Sequence, residues 1–203
     1  MSMKMYKQKG WKLFPSVFTN EEIEPIHDIG LILKEHANKY SEWKGISCAG
    51  RFYPQLFDLY TSQKMFDLST QILGESVYHF NDQIVFKNPH ENFYFQEHYD
   101  NQFGPNKDNL IHTCNFCVIL DDMDKNNGTL EVKNYDDGQW NRLTLKRGDV
   151  VAIRGDTYHR SQINTSSEPR GLYACVYSES AVYLKDFYYT KFDKVNTIIK
   201  ETW

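Results

Sequence analysis

The sequence predicts a mainly β protein with helices gathered at its N-terminus, built as an antiparallel double sheet or jelly roll faced on one side by those helices. Three observations predict it. Helical periodicity is confined to the first third of the chain. From residue 77 the pattern changes to short runs rich in Val, Ile, Tyr and Phe. Gly, Asn, Asp and Pro separate those runs, which is the punctuation of a sheet protein with many short strands.

The first helix is expected over "TNEEIEPIHDIGLILKEHANKY". Thr19 and Glu22 have capping-box spacing, and Ile23, Ile26, Ile29 or Ile32, and Leu33 follow at helical spacing. Pro25 is compatible with this helix if it lies near the first turn. A second helix is expected over "TSQKMFDLSTQILG", stopped by Gly74. The strands then follow in order: "VYHFNDQIVFK", "NFYFQEHYD", "LIHTCNFCVILDD", "GTLEVK", "NRLTLK", "DVVAIRG" and "GLYACVYSES". "DKNNGTL" and "KRGDVV" carry turn chemistry. The expected layout is one domain over 1–203, with a helical part to residue 75, a β core over about 76–180 and a tail over 181–203.

Composition narrows the function. Hydrophobic residues make up 40% of the 203 and aromatics 15%, which supplies a core and excludes a disordered chain. The formal charge of −4 and the lack of a basic stripe argue against a nucleic-acid partner. No apolar run approaches the ~18 residues of a membrane span. The N-terminal segment lacks an apolar signal core, so a cytoplasmic protein with no membrane partner is expected. The four cysteines are then free thiols in a reducing compartment. Cys114 and Cys117 form a C-x-x-C, but on a strand their side chains point to opposite faces, which suits neither zinc nor redox work.

The chemistry begins at "FQEHYDNQFG". His98 and Asp100, two apart on an extended segment, point to the same side about 7 Å apart at the backbone. In "GDTYHRSQINTSSEPRGLYACVY", His159, Ser161 and Arg170 flank a turn. Read as a hairpin, this segment sets Arg170 beside Ser161 and within reach of His159. Two histidines and a carboxylate with open coordination positions form the facial triad of non-haem Fe(II) oxygenases. A guanidinium beside a hydroxyl is a receptor for a carboxylate, such as the far end of a chelating keto-acid. Tyr94 and Gln96 share the face of His98 if the strand is regular, and would line the pocket for substrate. Gln83 and Lys87 share a face of the preceding strand with Val85 and are further substrate candidates. Asn115 shares a face with Cys117 and is a candidate for hydrogen-bonding the keto-acid. His112 alternates with Cys114 and Phe116 and reads as packed in the sheet. His27, His36, His79 and His90 show no partner in the sequence.

These segments together resemble the phytanoyl-CoA dioxygenase-like branch of the Fe(II)/2-oxoglutarate-dependent oxygenases. "YKQKGWKLFPSVFTNEEI" is similar to the family's opening strand and helix, and "KNPHENFYFQEHYD" to its lysine-proline segment leading into H-x-D. "VILDDMDKNNGTLEV" is similar to its acidic turn and Asn-Gly-x-Leu motif. "LKRGDVVAIRGDTYHRSQINTSSEPRGLYACVY" is similar to its distal histidine and trailing arginine. Two departures stand out. "KNYDDGQW" occupies the place of a Pro-Gly-Ser-His element, and the interval from Asp100 to His159 is short. The resemblance implies a double-stranded β-helix of cupin type, with Fe(II) on His98, Asp100 and His159. It implies 2-oxoglutarate as cosubstrate, its distal carboxylate on Ser161 and Arg170. The expected reaction is hydroxylation of a small molecule with O2, releasing succinate and CO2. The carboxylate at position 100 is the ligand that related halogenases lack. Three alternatives share parts of the pattern: a prolyl-hydroxylase-like enzyme acting on a peptide, a cupin-type metal enzyme without 2-oxoglutarate, and a non-catalytic β-barrel binding domain.

Overall fold

The computed structural model describes residues 3–40, 45–103, 107, 111–181, 189–192 and 198–201. The elements run α1 (Met3–Lys9), β1 (Trp11–Phe14), α2 (Asn20–Tyr40), β2 (Gly45–Ser47), α3 (Pro54–Tyr60) and α4 (Gln63–Leu73). Strands follow: β3 (Val77–Lys87), β4 (Phe95–His98), β5 (Thr113–Ile119), β6 (Leu130–Lys133), β7 (Trp140–Arg142), β8 (Val150–Arg154), β9 (His159–Ser161) and β10 (Arg170–Ser178). β11 (Tyr189–Phe192) and β12 (Ile198–Glu201) close the series.

All the strand pairings are antiparallel. The larger sheet has the order β1-β8-β5-β10-β3-β11-β12, with β2 also on β3. The smaller has the order β4-β9-β6-β7. This is the jelly-roll arrangement the sequence predicts. β1 and β2 come from the part expected to be helical, and edge or extend the larger sheet.

Period-2 alternation builds two cores from the same strands. Cys114, Phe116 and Val118 of β5, Val150 and Ala152 of β8, and Tyr173, Cys175 and Tyr177 of β10 pack with Ile23, Ile26, Leu56 and Met65 of the helices. Their alternates Cys117, Ile119, Val151, Ile153, Leu172 and Ala174 face the smaller sheet and meet Leu130 and Val132. The larger sheet is buried on both faces, which is why its central strands read as continuous apolar runs. The two thiols of the C-x-x-C fall in different cores, as strand parity requires, and burial pushes Cys114 up to about 12.

The helix signals are realised. Thr19 N–H donates to Glu22 at 2.8 Å and Glu22 N–H to Thr19 Oγ1 at 3.3 Å, the reciprocal capping box. Pro25 lies inside α2 but in its second turn, so the helix forgoes the bond that an N–H at this position would make to Glu21. Ser62 caps α4 through Met65 N–H, and Gly74 ends it at φ +94°. α3 is an element the sequence reading lacked; its Pro54 stands at the helix start, where a fixed φ favours the first turn. The expected strand "NRLTLK" is realised only at its start, in β7, with Leu145 bridging to Met123. No helix among the described residues is long and apolar enough to cross a membrane.

Candidate active site

The site lies between the two sheets. β4 and β9 are neighbours, and their register sets His98 opposite His159, with ring centroids 4.2 Å apart. β4 ends at His98, and Asp100 opens a short 3-10 turn. The pair expected on one strand face therefore spans a strand end and a turn. Ligand atoms of His98, Asp100 and His159 all lie within 4.8 Å of one another, the one such metal-competent group among the described residues.

Backbone carbonyls fix both imidazoles. His98 Nδ1 lies 2.7 Å from Gln96 O, and His159 Nδ1 lies 3.0 Å from Thr157 O. A carbonyl accepts only, so each Nδ1 carries the proton in the neutral ring and each Nε2 keeps a free lone pair. Burial, then the neighbouring His159, holds His98 below the ordinary histidine range. Asp100 Oδ1 lies 3.5 Å from His159 Nε2, while Asp100 Oδ2 accepts from Asn115 Nδ2 at 3.0 Å. Three lone-pair donors thus face one small space. That is the donor set and second-sphere pattern of a divalent cation site.

Deeper between the sheets lie two buried basic side chains. Arg170 and Lys87 are cross-strand partners on β10 and β3, each 1% exposed. Strand parity turns them to the side of Leu172 and Val85, toward the smaller sheet. Arg170 donates to Gly128 O, and its Nε has no partner. Lys87 Nζ donates to Ser161 O at 3.2 Å and to Gln162 O. Neither forms an ion pair among the described residues. Burial first, then Arg170, lowers Lys87 to about 6; burial lowers Arg170 to about 10. Two adjacent buried basic groups without an ion-pair partner are costly to charge unless an anion joins them, and the nearby Asp121 carboxylate offsets only part of the burial at Arg170.

Gly128 of the Asn-Gly-x-Leu motif has a physical task here. At φ +69°, a Cβ on it would lie 2.2 Å from Gln162 O, so only glycine lets the two backbones approach. That approach sets its carbonyl against Arg170.

Residues 17–133 and 130–172 match the family described as Phytanoyl-CoA dioxygenase (PhyH). The chain belongs to the phytanoyl-CoA dioxygenase family. Among curated proteins, none matches in sequence. Solved structures share the fold. EctD from S. alaskensis, with 2-oxoglutarate and 5-hydroxyectoine, superposes with a TM-score of 0.77 at 17% identity, covering 90% of this chain and 77% of that one. The non-haem α-ketoglutarate-dependent epimerase SnoN from nogalamycin biosynthesis gives 0.72 at 18% identity, covering 86% and 80%. The carbocyclase SnoK of the same biosynthesis gives 0.76 at 16% identity, covering 87% and 82%.

Within this family fold, some expected neighbours meet by other routes. The segment from His159 to Arg170 is not a hairpin: β9 belongs to the smaller sheet and β10 to the larger. Arg170 pairs with Lys87 and Ser161 with Phe95 and Leu130, and Lys87 joins the two sides by its bond to Ser161 O. A register shift between Phe95 and His98 breaks the alternation expected of β4. It turns Phe95 inward with His98 and leaves Tyr94 and Gln96 exposed; Gln96 serves through its carbonyl. Asn115 does face the site, and its amide nitrogen donates to Asp100 Oδ2. Gln83 is half-buried on β3 beside β2, with its amide 3.4 Å from Ser47 Oγ.

Other residues near the site were not legible in the sequence. Phe95 packs 6.2 Å from the His98 ring and 5.7 Å from Lys87 Nζ, ring centroid in each case. Its run "NFYF" signals a strand but not which aromatic turns in. Phe103 is 64% exposed with its ring 6.1 Å from that of His98, on the solvent side of the site. His27 finds Asp121 at 3.1 Å, and His79 stacks on Tyr60 in the helix-facing core, so neither joins the site.

Proposed function

We propose that this protein is an Fe(II)- and 2-oxoglutarate-dependent dioxygenase that hydroxylates a C–H bond of a small molecule, releasing succinate and CO2. One observation carries the reading: a two-histidine, one-carboxylate cluster shares an interior with the buried cross-strand pair Lys87 and Arg170, neither of which forms an ion pair among the described residues. Membership of the phytanoyl-CoA dioxygenase family supports it, and so does the likeness in fold to EctD, solved with 2-oxoglutarate and 5-hydroxyectoine.

His98 Nε2, His159 Nε2 and Asp100 Oδ1 would hold the iron. Bound Fe(II) with 2-oxoglutarate and O2 supplies the chemistry that decarboxylates the keto-acid and passes one oxygen atom to a substrate C–H bond. The chain's own residues bind and orient. Arg170, with Lys87 beside it, takes the distal carboxylate of the keto-acid by charge-assisted hydrogen bonds, and the Ser161 hydroxyl adds a neutral one. Gly128 O holds the guanidinium, so little rotamer freedom remains to be lost on binding. Leu130, Val132, Leu172 and Phe95 wall the interior with apolar surface and exclude water around the cosubstrate. Phe103 offers an apolar face to a substrate arriving beside His98.

A zinc enzyme on the same barrel uses the three ligands but leaves the buried Lys87–Arg170 pair without a task. An epimerase or carbocyclase, as SnoN and SnoK are described, needs the same donor set; the nature of the product separates these from a hydroxylase. The test is anaerobic loading with Fe(II), titration with 2-oxoglutarate, and a screen of small molecules for stimulated succinate release. The proposal expects an iron–keto-acid absorption band and substrate-dependent succinate. Tight zinc binding with no keto-acid band would overturn it.

A further inference from the structure

The turn that carries Asp100 is fixed by its backbone. Asn101 N–H donates to Gly155 O at 2.9 Å, and Asn101 Oδ1 accepts from Thr113 Oγ1 at 2.7 Å. A Cβ at Gly155 would lie 1.9 Å from Thr113 Oγ1 and 2.5 Å from Asn101 Oδ1, so the seat admits only glycine. This seat places the Asp100 backbone but leaves its side chain free to rotate.

Asn115, reaching from β5 of the other sheet, removes that freedom. Its Nδ2 donates to Asp100 Oδ2 at 3.0 Å, leaving Oδ1 as the oxygen directed toward His159 Nε2. The amide's own orientation is determined too. Cys117 Sγ lies 3.7 Å from Asn115 Oδ1, a distance at which a thiol donates. Burial pushes the Cys117 thiol well up, so it keeps its proton. A relay therefore runs from the Cys117 thiol to Asn115 Oδ1, and from Asn115 Nδ2 to Asp100 Oδ2.

We infer that Asn115 is a positioning residue: it acts through Asp100, aiming Oδ1 at the metal, and does not contact the keto-acid. This inference rests on the proposed function for the identity of the metal. Outer partners of metal ligands typically contribute about 10–100-fold in metal affinity. A residue that touched the keto-acid would instead leave metal affinity unchanged when no keto-acid is present.

The experiment is an anaerobic Fe(II) titration of the full chain without 2-oxoglutarate, followed by 2-oxoglutarate titration at saturating iron. Asn115→Leu removes the donor at similar volume; Asn115→Ser is the second variant should the first not fold, and metal-free melting curves report folding. The expected result is a loss of roughly tenfold or more in Fe(II) affinity, with a smaller change in 2-oxoglutarate affinity. In an Asp100→Ala background the same substitution should change Fe(II) affinity less than twofold, because its target is gone. Wild-type Fe(II) affinity in a folded Asn115 variant overturns the inference, as does an equal loss in both backgrounds. If wild-type protein and His98→Ala bind Fe(II) alike, the failure lies instead with the proposed function.

Discussion

Replacing Arg170 with methionine separates the cost of its charge from its use. In the folded chain burial lowers the guanidinium from its ordinary value to about 10. That difference corresponds to roughly 3 kcal/mol of penalty on the charged form. Methionine removes the penalty and fills similar space, but strips Gly128 O of its donor, which costs about 1–3 kcal/mol for a buried group. The terms offset to about 1 kcal/mol, so the melting temperature should stay within ~4 °C of wild type. Cosubstrate binding has no such offset. Losing one partner of a buried, hydrogen-bonded charge pair costs about 2–5 kcal/mol. Lys87 stays beside the vacated position, which places the loss at the lower end, roughly 30- to 100-fold in affinity for 2-oxoglutarate. Ser161→Ala removes a neutral donor and should cost about 1 kcal/mol, roughly fivefold. The assay is anaerobic titration of the iron–keto-acid absorption band in the three proteins, with Fe(II) affinity measured separately and expected to hold. Equal 2-oxoglutarate affinities would refute the clamp. A collapse in stability would refute the argument that this charge is buried at a net cost.

His98→Ala, Asp100→Ala and His159→Ala should each abolish Fe(II)-dependent succinate release while the domain stays folded; near-normal release from any one removes that residue from the site. Lys87, lowered to about 6, binds fewer protons than the unfolded chain between that pH and its ordinary 10.5. Its contribution to stability therefore rises as pH climbs through that window. A carboxylate placed beside it restores the proton, so 2-oxoglutarate binding should take up a proton and weaken as pH rises above about 6. Calorimetry in buffers of different ionisation enthalpy measures this uptake, and Lys87→Met should abolish it. With a substrate in hand, ¹⁸O2 in chloride buffer should label the product hydroxyl; a chlorinated product or an unlabelled hydroxyl contradicts the hydroxylase reading.

What the sequence determined by itself is local. The Thr19–Glu22 cap, Gly74 as a helix stop, and the alternation that sends Cys114 and Cys117 into different cores follow from periods of a few residues. The residues of the candidate donor set are legible too, but the turn after His98, not strand parity, brings Asp100 to them. Tertiary structure decided which of these meet. β9 and β10 are adjacent in the chain yet lie in different sheets, so Arg170 finds Lys87, distant in sequence, and not its sequence neighbour Ser161. The register shift in β4 turned Phe95 in and Gln96 out, because a bulge is set by the partner strand across the ladder. Asn115 was legible as a residue facing the site, but its partner was not. The bond to Asp100 crosses from one sheet to the other, and only sheet packing fixes that distance.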